Sequence, residues 1–376
     1  MTTRPSRAKS LPLLAALLLA LLALAAPAGA ATRPWIGVRG NQLVNGKGVP
    51  VRLLGVNRSG SEYECLYGSR VFDGPTDLES IQRFVNWGAN AVRLPLNETC
   101  WLGINGISAE VGGAAYRAAI KGYVKRLERK GLYVILDLQW SAPGTQRAES
   151  LVPLPDAEHG PAFWTSVARE FKGNRGVLFD LFNEPRPGVS WECWRSGCEV
   201  HDEVVGSYRA AGMQQLVNAV RGTGAKQPIM LPGTEFAHNL GGWLSHLPTD
   251  PAHALVASTH TYDFLPCYGH CRQVLVTISR HHPVVTDELG ETDCGISYIT
   301  PYMKWADRHK IGYLGWAWTA GSGWGCEEGP SLIRNYRGLP TEYGLGFREH
   351  LRKVSKRERE RVRKAEAQAG RRSAAA

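Results

Sequence analysis

The chain has 376 residues and a formal net charge of +10, enough for one large domain or two ordinary ones. Arg4, Arg7 and Lys9 open the chain, and residues 348–376 hold eleven Lys/Arg against four Asp/Glu, which leaves the region between neutral. A nucleic-acid binder carries its basic patch on the folded domain, so charge on the two ends alone argues against that class.

Residues 1–31 read as a secretory signal peptide: a basic start, the Leu/Ala run Leu11–Ala26, and small residues at Ala28-Gly29-Ala30. That run is short for a bilayer span, and no later stretch is long and apolar enough for one. Eight cysteines follow: Cys65, Cys100, Cys193, Cys198, Cys267, Cys271, Cys294 and Cys326. An even count behind a signal peptide points to disulfides. The short spacings suggest Cys193–Cys198 and Cys267–Cys271, with Cys65–Cys100 and Cys294–Cys326 as the simplest remainder. No Cys-x-x-Cys pair favours zinc.

From Trp35 to Val56 the chain reads as a β-hairpin entering a first core strand, Val51–Asn57. Alternation then begins. Asp77–Trp87 has helical spacing with Asp77 as N-cap, and Asn90–Leu96 is a strand. Ala114–Lys130 is a helix stopped by Gly131, and Leu132–Trp140 a strand. Ala162–Phe171 is a helix, followed by the apolar run Val177–Phe182 ending in Asn183-Glu184-Pro185. The second half gives helix Val204–Arg221, strand Pro228–Gly233, strand Leu255–Tyr262, helix Val274–Arg280, strand Pro283–Gly290, helix Tyr298–His309 and strand Ile311–Trp318. Eight strands alternating with helices predict a parallel (β/α)8 TIM barrel in one catalytic domain, residues 32–347. An open doubly wound sheet would want a glycine-rich turn after the first strand, and Asn57–Ser61 is not one. Residues 348–376 read as a basic, flexible tail.

Polar residues collect where these strands end: Arg93, Gln139, Asn183, Glu184, His260, Tyr262, Glu288, Trp316 and Trp318. In a closed barrel all such ends open on one face. Two carboxylates facing a cleft lined with tryptophan are the apparatus of glycoside hydrolysis, one protonated and one ionised. Asp287 neighbours Glu288, but successive strand residues point to opposite faces, so only one is expected at the mouth. Trp101, Trp140, Trp191, Trp194, Trp243 and Trp324 fall mostly in loops after strands. About half are expected to stack on sugar and the rest to anchor the core. The neutral central region suits an uncharged, extended glycan.

Phe182-Asn183-Glu184-Pro185, His260-Thr261-Tyr262, Glu288-Leu289-Gly290, Arg93 on the second barrel strand and Trp316-Ala317-Trp318 resemble, in order, the motifs of glycoside hydrolase family 5, the family of many cellulases. The resemblance covers roughly residues 35–347. It implies a retaining enzyme with Glu184 as acid/base and Glu288 as nucleophile. Arg93 and Tyr262 would hold Glu288, Asn183 would bind the sugar 2-hydroxyl, and His260 would sit near Glu184 or the acceptor sugar. Trp316 would floor the reacting sugar, with Trp318 as alternate. One departure stands out: Gln139 ends the third strand where the family usually has histidine, and glutamine cannot carry a proton. The expected protein is a secreted, monomeric endo-β-1,4-glucanase acting on a β-glycan polysaccharide, without metal or organic cofactor. β-Mannan, β-1,3-glucan or the glycan of a glycosphingolipid are alternatives within the family, and a non-catalytic glycan-binding barrel is the alternative of another class.

Overall fold

The computed structural model describes residues 1–2, 33–67, 69–320 and 329–374. The chain divides into Met1–Thr32 and a compact unit Arg33–Ala376. The signal-peptide reading, apart from its first two residues, and the positions of Trp324 and Cys326 lie outside the described residues.

The hairpin β1 (Ile36–Arg39) and β2 (Gln42–Asn45) comes first. Eight strands then close a parallel barrel: β3 (Leu54–Asn57), β4 (Ala91–Asn97), β5 (Tyr133–Trp140), β6 (Val177–Asp180), β9 (Ile229–Pro232), β10 (Leu255–Tyr262), β11 (Val284–Gly290) and β12 (Gly312–Gly315). Burial on both faces explains the near-continuous apolar runs of these strands. Helices flank them, and Asp77 caps the first long one, Leu78–Trp87, accepting from the Glu79 and Ser80 amides at 2.8 Å each.

At the N-terminal end of the barrel, Leu53, Ala91, Ile135, Leu178, Met230, Val256, Val285 and Leu314 form one apolar cluster. Ile36 and Leu43 of the hairpin join it. The hairpin therefore plugs the bottom of the barrel, leaving the opposite end for polar side chains.

Three expected boundaries change. The segment Val204–Arg221 is not one helix. Asp202 accepts from the Val204 and Val205 amides at 2.9 and 3.0 Å, and Gly206 takes a positive φ of 79°. That turn chemistry makes a second hairpin, β7 (Glu199–Asp202) with β8 (Gly206–Arg209), and the helix begins only at Met213. Helix Gly269–Ser279 starts five residues before the expected Val274. Finally, residues 348–374, read as a tail, continue a 33-residue helix, Glu342–Ala374. Phe347, Leu351 and Val354 bury its inner face, and Arg361 donates to the Pro50 carbonyl at 2.9 Å. A short antiparallel pair, β13 (Ile333–Asn335) and β14 (Leu339–Pro340), precedes that helix.

Disulfides join Cys193–Cys198 and Cys267–Cys271, the pairs of short spacing, and Cys65–Cys100, one of the two remaining pairs expected. Cys294 is not free.

Candidate active site

The site is built around Arg93 on β4, which is fully buried. Its Nη1 donates to Glu288 Oε1 at 2.8 Å and to Asn57 Oδ1 at 3.2 Å. Its Nη2 donates to Asn183 Oδ1 at 2.9 Å and lies 3.1 Å from Asp137 Oδ1. Its Nε donates to Asp180 Oδ2 at 2.8 Å and lies 3.4 Å from Asp287 Oδ2. One guanidinium thus serves four carboxylates from three strands and two side-chain amides. Its planar fork of five donors makes this possible.

Four carboxylates around one arginine cannot all be ionised in a dry interior. Burial pushes Asp137 well above the usual carboxylate range; Arg93 pulls it back, while Glu288 and Asp287 push it further. Asp180 is raised too, first by burial and then by Asp287. Asp287 goes the other way: burial would raise it, but His260 and Arg93 outweigh that and hold it low. The cluster therefore disfavours charge on Asp137 and Asp180 and favours it on Asp287.

Asp287 is where strand alternation fails. The register against β10 shifts at Thr259/His260, and that against β12 shifts between Thr286 and Leu289. A bulge inserts a residue and re-aims side chains, so Asp287 and Glu288 both reach Arg93. Asp180 was likewise not singled out from sequence. Its signal was an acid inside an otherwise apolar strand, buried on both faces.

At the mouth, Tyr262 donates its hydroxyl to Glu288 Oε2 at 2.5 Å. His260 Nδ1 lies 2.8 Å from Glu184 Oε1 and 3.5 Å from Glu288 Oε2, and its Nε2 is 3.6 Å from Asp287 Oδ1. Burial alone would lower the His260 pKa, but Glu288, Asp287 and the hydrogen bond to Glu184 hold it well above the ordinary value. The surrounding acidic side chains thus favour the protonated form of the imidazole. Glu288 is raised by burial and by Glu184, while His260, Arg93 and the Tyr262 hydroxyl pull it down. Side-chain atoms of Glu184, His260 and Glu288 all lie within 4.8 Å of one another. Glu184 keeps 15% of its side chain exposed against 4% for Glu288, so the two acids meet at the rim with different access to solvent.

The remaining sequence candidates divide. Gln139 is buried, and its Oε1 has no hydrogen-bond partner among the described residues. Trp316 is half-buried. Trp318, the alternate floor, is instead core: it packs edge-on against Phe84 and Trp87, both with ring centroids at 4.8 Å. Trp101, Trp194 and Trp243 are fully buried, whereas Trp140 and Trp191 are half-buried. Phe264 was overlooked: it is exposed and stacks on Tyr262 at 5.1 Å.

A closed parallel barrel with paired carboxylates at the C-terminal ends of its strands, braced by arginine and tyrosine, defines the glycoside hydrolase class. The family model for cellulase, glycosyl hydrolase family 5, matches residues 44–322. The chain belongs to glycosyl hydrolase family 5. Among curated relatives, endoglucanase A of Clostridium longisporum is 25% identical over 219 residues, covering 56% of this chain and 38% of that protein. Endoglucanase MaCel5A of Microbulbifer is 24% identical over 159 residues, covering 41% and 26%. The matches thus span less than half the length of these relatives. A β-glucanase of Saccharophagus degradans, solved with cellotetraose, superposes with a TM-score of 0.65 at 18% identity, covering 86% of this chain and 94% of that one. An endo-β-1,4-glucanase of Xanthomonas axonopodis gives 0.60 at 21% identity, covering 81% and 100%. These two likenesses concern the fold.

Proposed function

We propose that this chain is a secreted endo-β-1,4-glucanase that cleaves with retention of anomeric configuration. The observation that carries the reading is the approach of Glu184 and Glu288 to within 4.8 Å at the rim. Retaining enzymes hold their carboxyls about 5–5.5 Å apart, so that one attacks directly with no water between. Glu184, the more exposed, donates a proton to the leaving glycosidic oxygen as the C–O bond breaks. Glu288 attacks the anomeric carbon and forms a glycosyl ester. Glu184 then takes a proton from water, which attacks the same carbon and releases Glu288.

The surroundings suit these roles. Arg93 and Tyr262 place a donor on each oxygen of Glu288 and so favour its ionised form against burial. His260 orients Glu184 through Oε1, leaving Oε2 for the leaving group. Asn183 spends its carbonyl oxygen on Arg93, which leaves its amide nitrogen to donate to the sugar 2-hydroxyl. Trp316 offers a half-buried face under the reacting sugar, and the orphan Oε1 of Gln139 can accept from a sugar hydroxyl. The half-buried Trp140 and Trp191 suit a neutral glucan. The endoglucanase names of the curated relatives favour a glucan over mannan. Export follows from the leader read in residues 1–31, and no described helix is long and apolar enough to cross a membrane.

The test is a reducing-sugar assay on carboxymethylcellulose, mannan, laminarin and a ganglioside, with wild type, Glu184→Gln and Glu288→Gln. The reading expects carboxymethylcellulose to be cut fastest and each variant to lose at least about 10²–10⁴ in kcat. Turnover within about tenfold of wild type in either variant overturns it.

A further inference from the structure

The helix Glu342–Ala374 has two unlike faces. Its inner face packs on the barrel through Phe347, Leu351 and Val354 and ties to the bottom hairpin through Glu366, which takes Lys47 Nζ at 3.0 Å and Asn45 Nδ2 at 2.7 Å. On its outer face Arg352, Lys356, Arg359 and Arg363 follow one another at steps of three and four residues, and all are exposed. At 1.5 Å rise per residue the charges form a line with a spacing of about 5 Å. Lys353 and Lys364 flank that line, also exposed. None of these six side chains has an ion pair or hydrogen bond among the described residues; the acids of the helix that do pair, Glu358 and Glu366, engage Arg52, Arg361 and Lys47 instead. Glu349 and Glu360 are also exposed on this side of the helix, three or four residues from several of these cations, but the cations outnumber them. Like charges on neighbouring turns weaken a helix, so the face keeps an excess of positive charge that a polyanion would relieve.

We propose that this stripe is a docking surface for an acidic polysaccharide carrying one carboxylate per sugar. The spacing of the cations is comparable to the length of one pyranose, so successive charges can meet successive uronates. From Arg352 to Gly370 no exposed side chain is an apolar group larger than alanine. A helix that inserts into a bilayer presents bulky apolar residues beside its cations, which disfavours a lipid surface. The inference goes beyond the catalytic reading and does not depend on it. Docking here leaves the mouth free, because the later turns of the helix lie beside the N-terminal end of the barrel, as the bond from Arg361 to Pro50 requires. The enzyme would be held on an acidic matrix while its site works on a neutral chain.

The full chain is tested by retention on polygalacturonate, beside the quadruple variant Arg352→Gln, Lys356→Gln, Arg359→Gln, Arg363→Gln. Far-UV circular dichroism checks that the variant keeps its helix content. Wild type should bind at low salt and be released as salt shortens the screening length to about 3 Å near 1 M, and the variant should bind at least tenfold more weakly. Two results overturn the proposal: equal retention of both proteins, or binding to anionic phosphatidylglycerol vesicles or duplex DNA tighter than to polygalacturonate at matched charge. Because the readout is binding, it stands apart from whether glucan is cleaved.

Discussion

Replacing Tyr262 with phenylalanine removes one hydroxyl from the neighbourhood of Glu288 and changes no shape. That hydroxyl donates to Oε2 at 2.5 Å, while Arg93 serves Oε1. A hydrogen bond to a charged group is worth about 1.5–3 kcal/mol, or roughly one to two pKa units. Tyr262 stabilises the ionised form, so its loss moves Glu288 upward, adding to the rise that burial already imposes. The acid limb of the kcat/KM profile should therefore shift about one to two units toward higher pH. At a pH on that limb the rate should fall roughly ten- to hundredfold and partly recover as pH is raised. The assay is initial rate on a soluble cello-oligosaccharide from acid to neutral pH. An unchanged acid limb would refute the idea that this hydroxyl holds the nucleophile ionised.

Other outcomes follow from the same geometry. Gln139→His should alter kcat only modestly or shift its pH profile, because the side chain lies near the end of its barrel strand and its Oε1 has no partner among the described residues; loss of the fold by circular dichroism would contradict that placement. Arg93→Met should do more than lower activity. It leaves Asp287 and Glu288 buried without their cation, and breaking a buried charge pair costs about 3–5 kcal/mol, read as a large fall in Tm. Removing the Cys65–Cys100 bridge with alanines should cost about 2–5 kcal/mol in denaturant melts. Glu62 tests pH dependence: burial raises its carboxyl from 4.5 to about 7, against hydrogen bonds from Ser59 and Gly60. The folded state then holds the proton more tightly, so the contribution of Glu62 to stability is full below 4.5 and is lost as pH rises through about 7. Glu62→Gln should flatten that part of the stability curve.

The barrel was legible because its signals are local. Apolar runs of strand length, helical periodicity and the Asp77 cap each repeat in sequence what the structure uses. The mouth was legible in part, since a strand must end where Asn183-Glu184-Pro185 stands. What escaped depended on register or on contacts remote in sequence. Asp287 joined the site through a bulge that no alternation rule anticipates. Asp180 acquired its meaning only from Arg93, 87 residues away. Trp318 looked like Trp316 in sequence, yet Phe84 and Trp87 of the helix Leu78–Trp87 claim it for the core. The last helix looked like a solvated charge run because its apolar positions are sparse, and Leu351 and Val354 suffice only because the barrel wall is there to receive them.

The most direct measurement is to trap the glycosyl-enzyme. A 2-deoxy-2-fluoro cellobioside with a good leaving group should slow release enough for the ester to accumulate, and peptide mass spectrometry should then find the sugar on Glu288. Label on another residue, or steady turnover of natural glucan with no label on Glu288, would contradict the account.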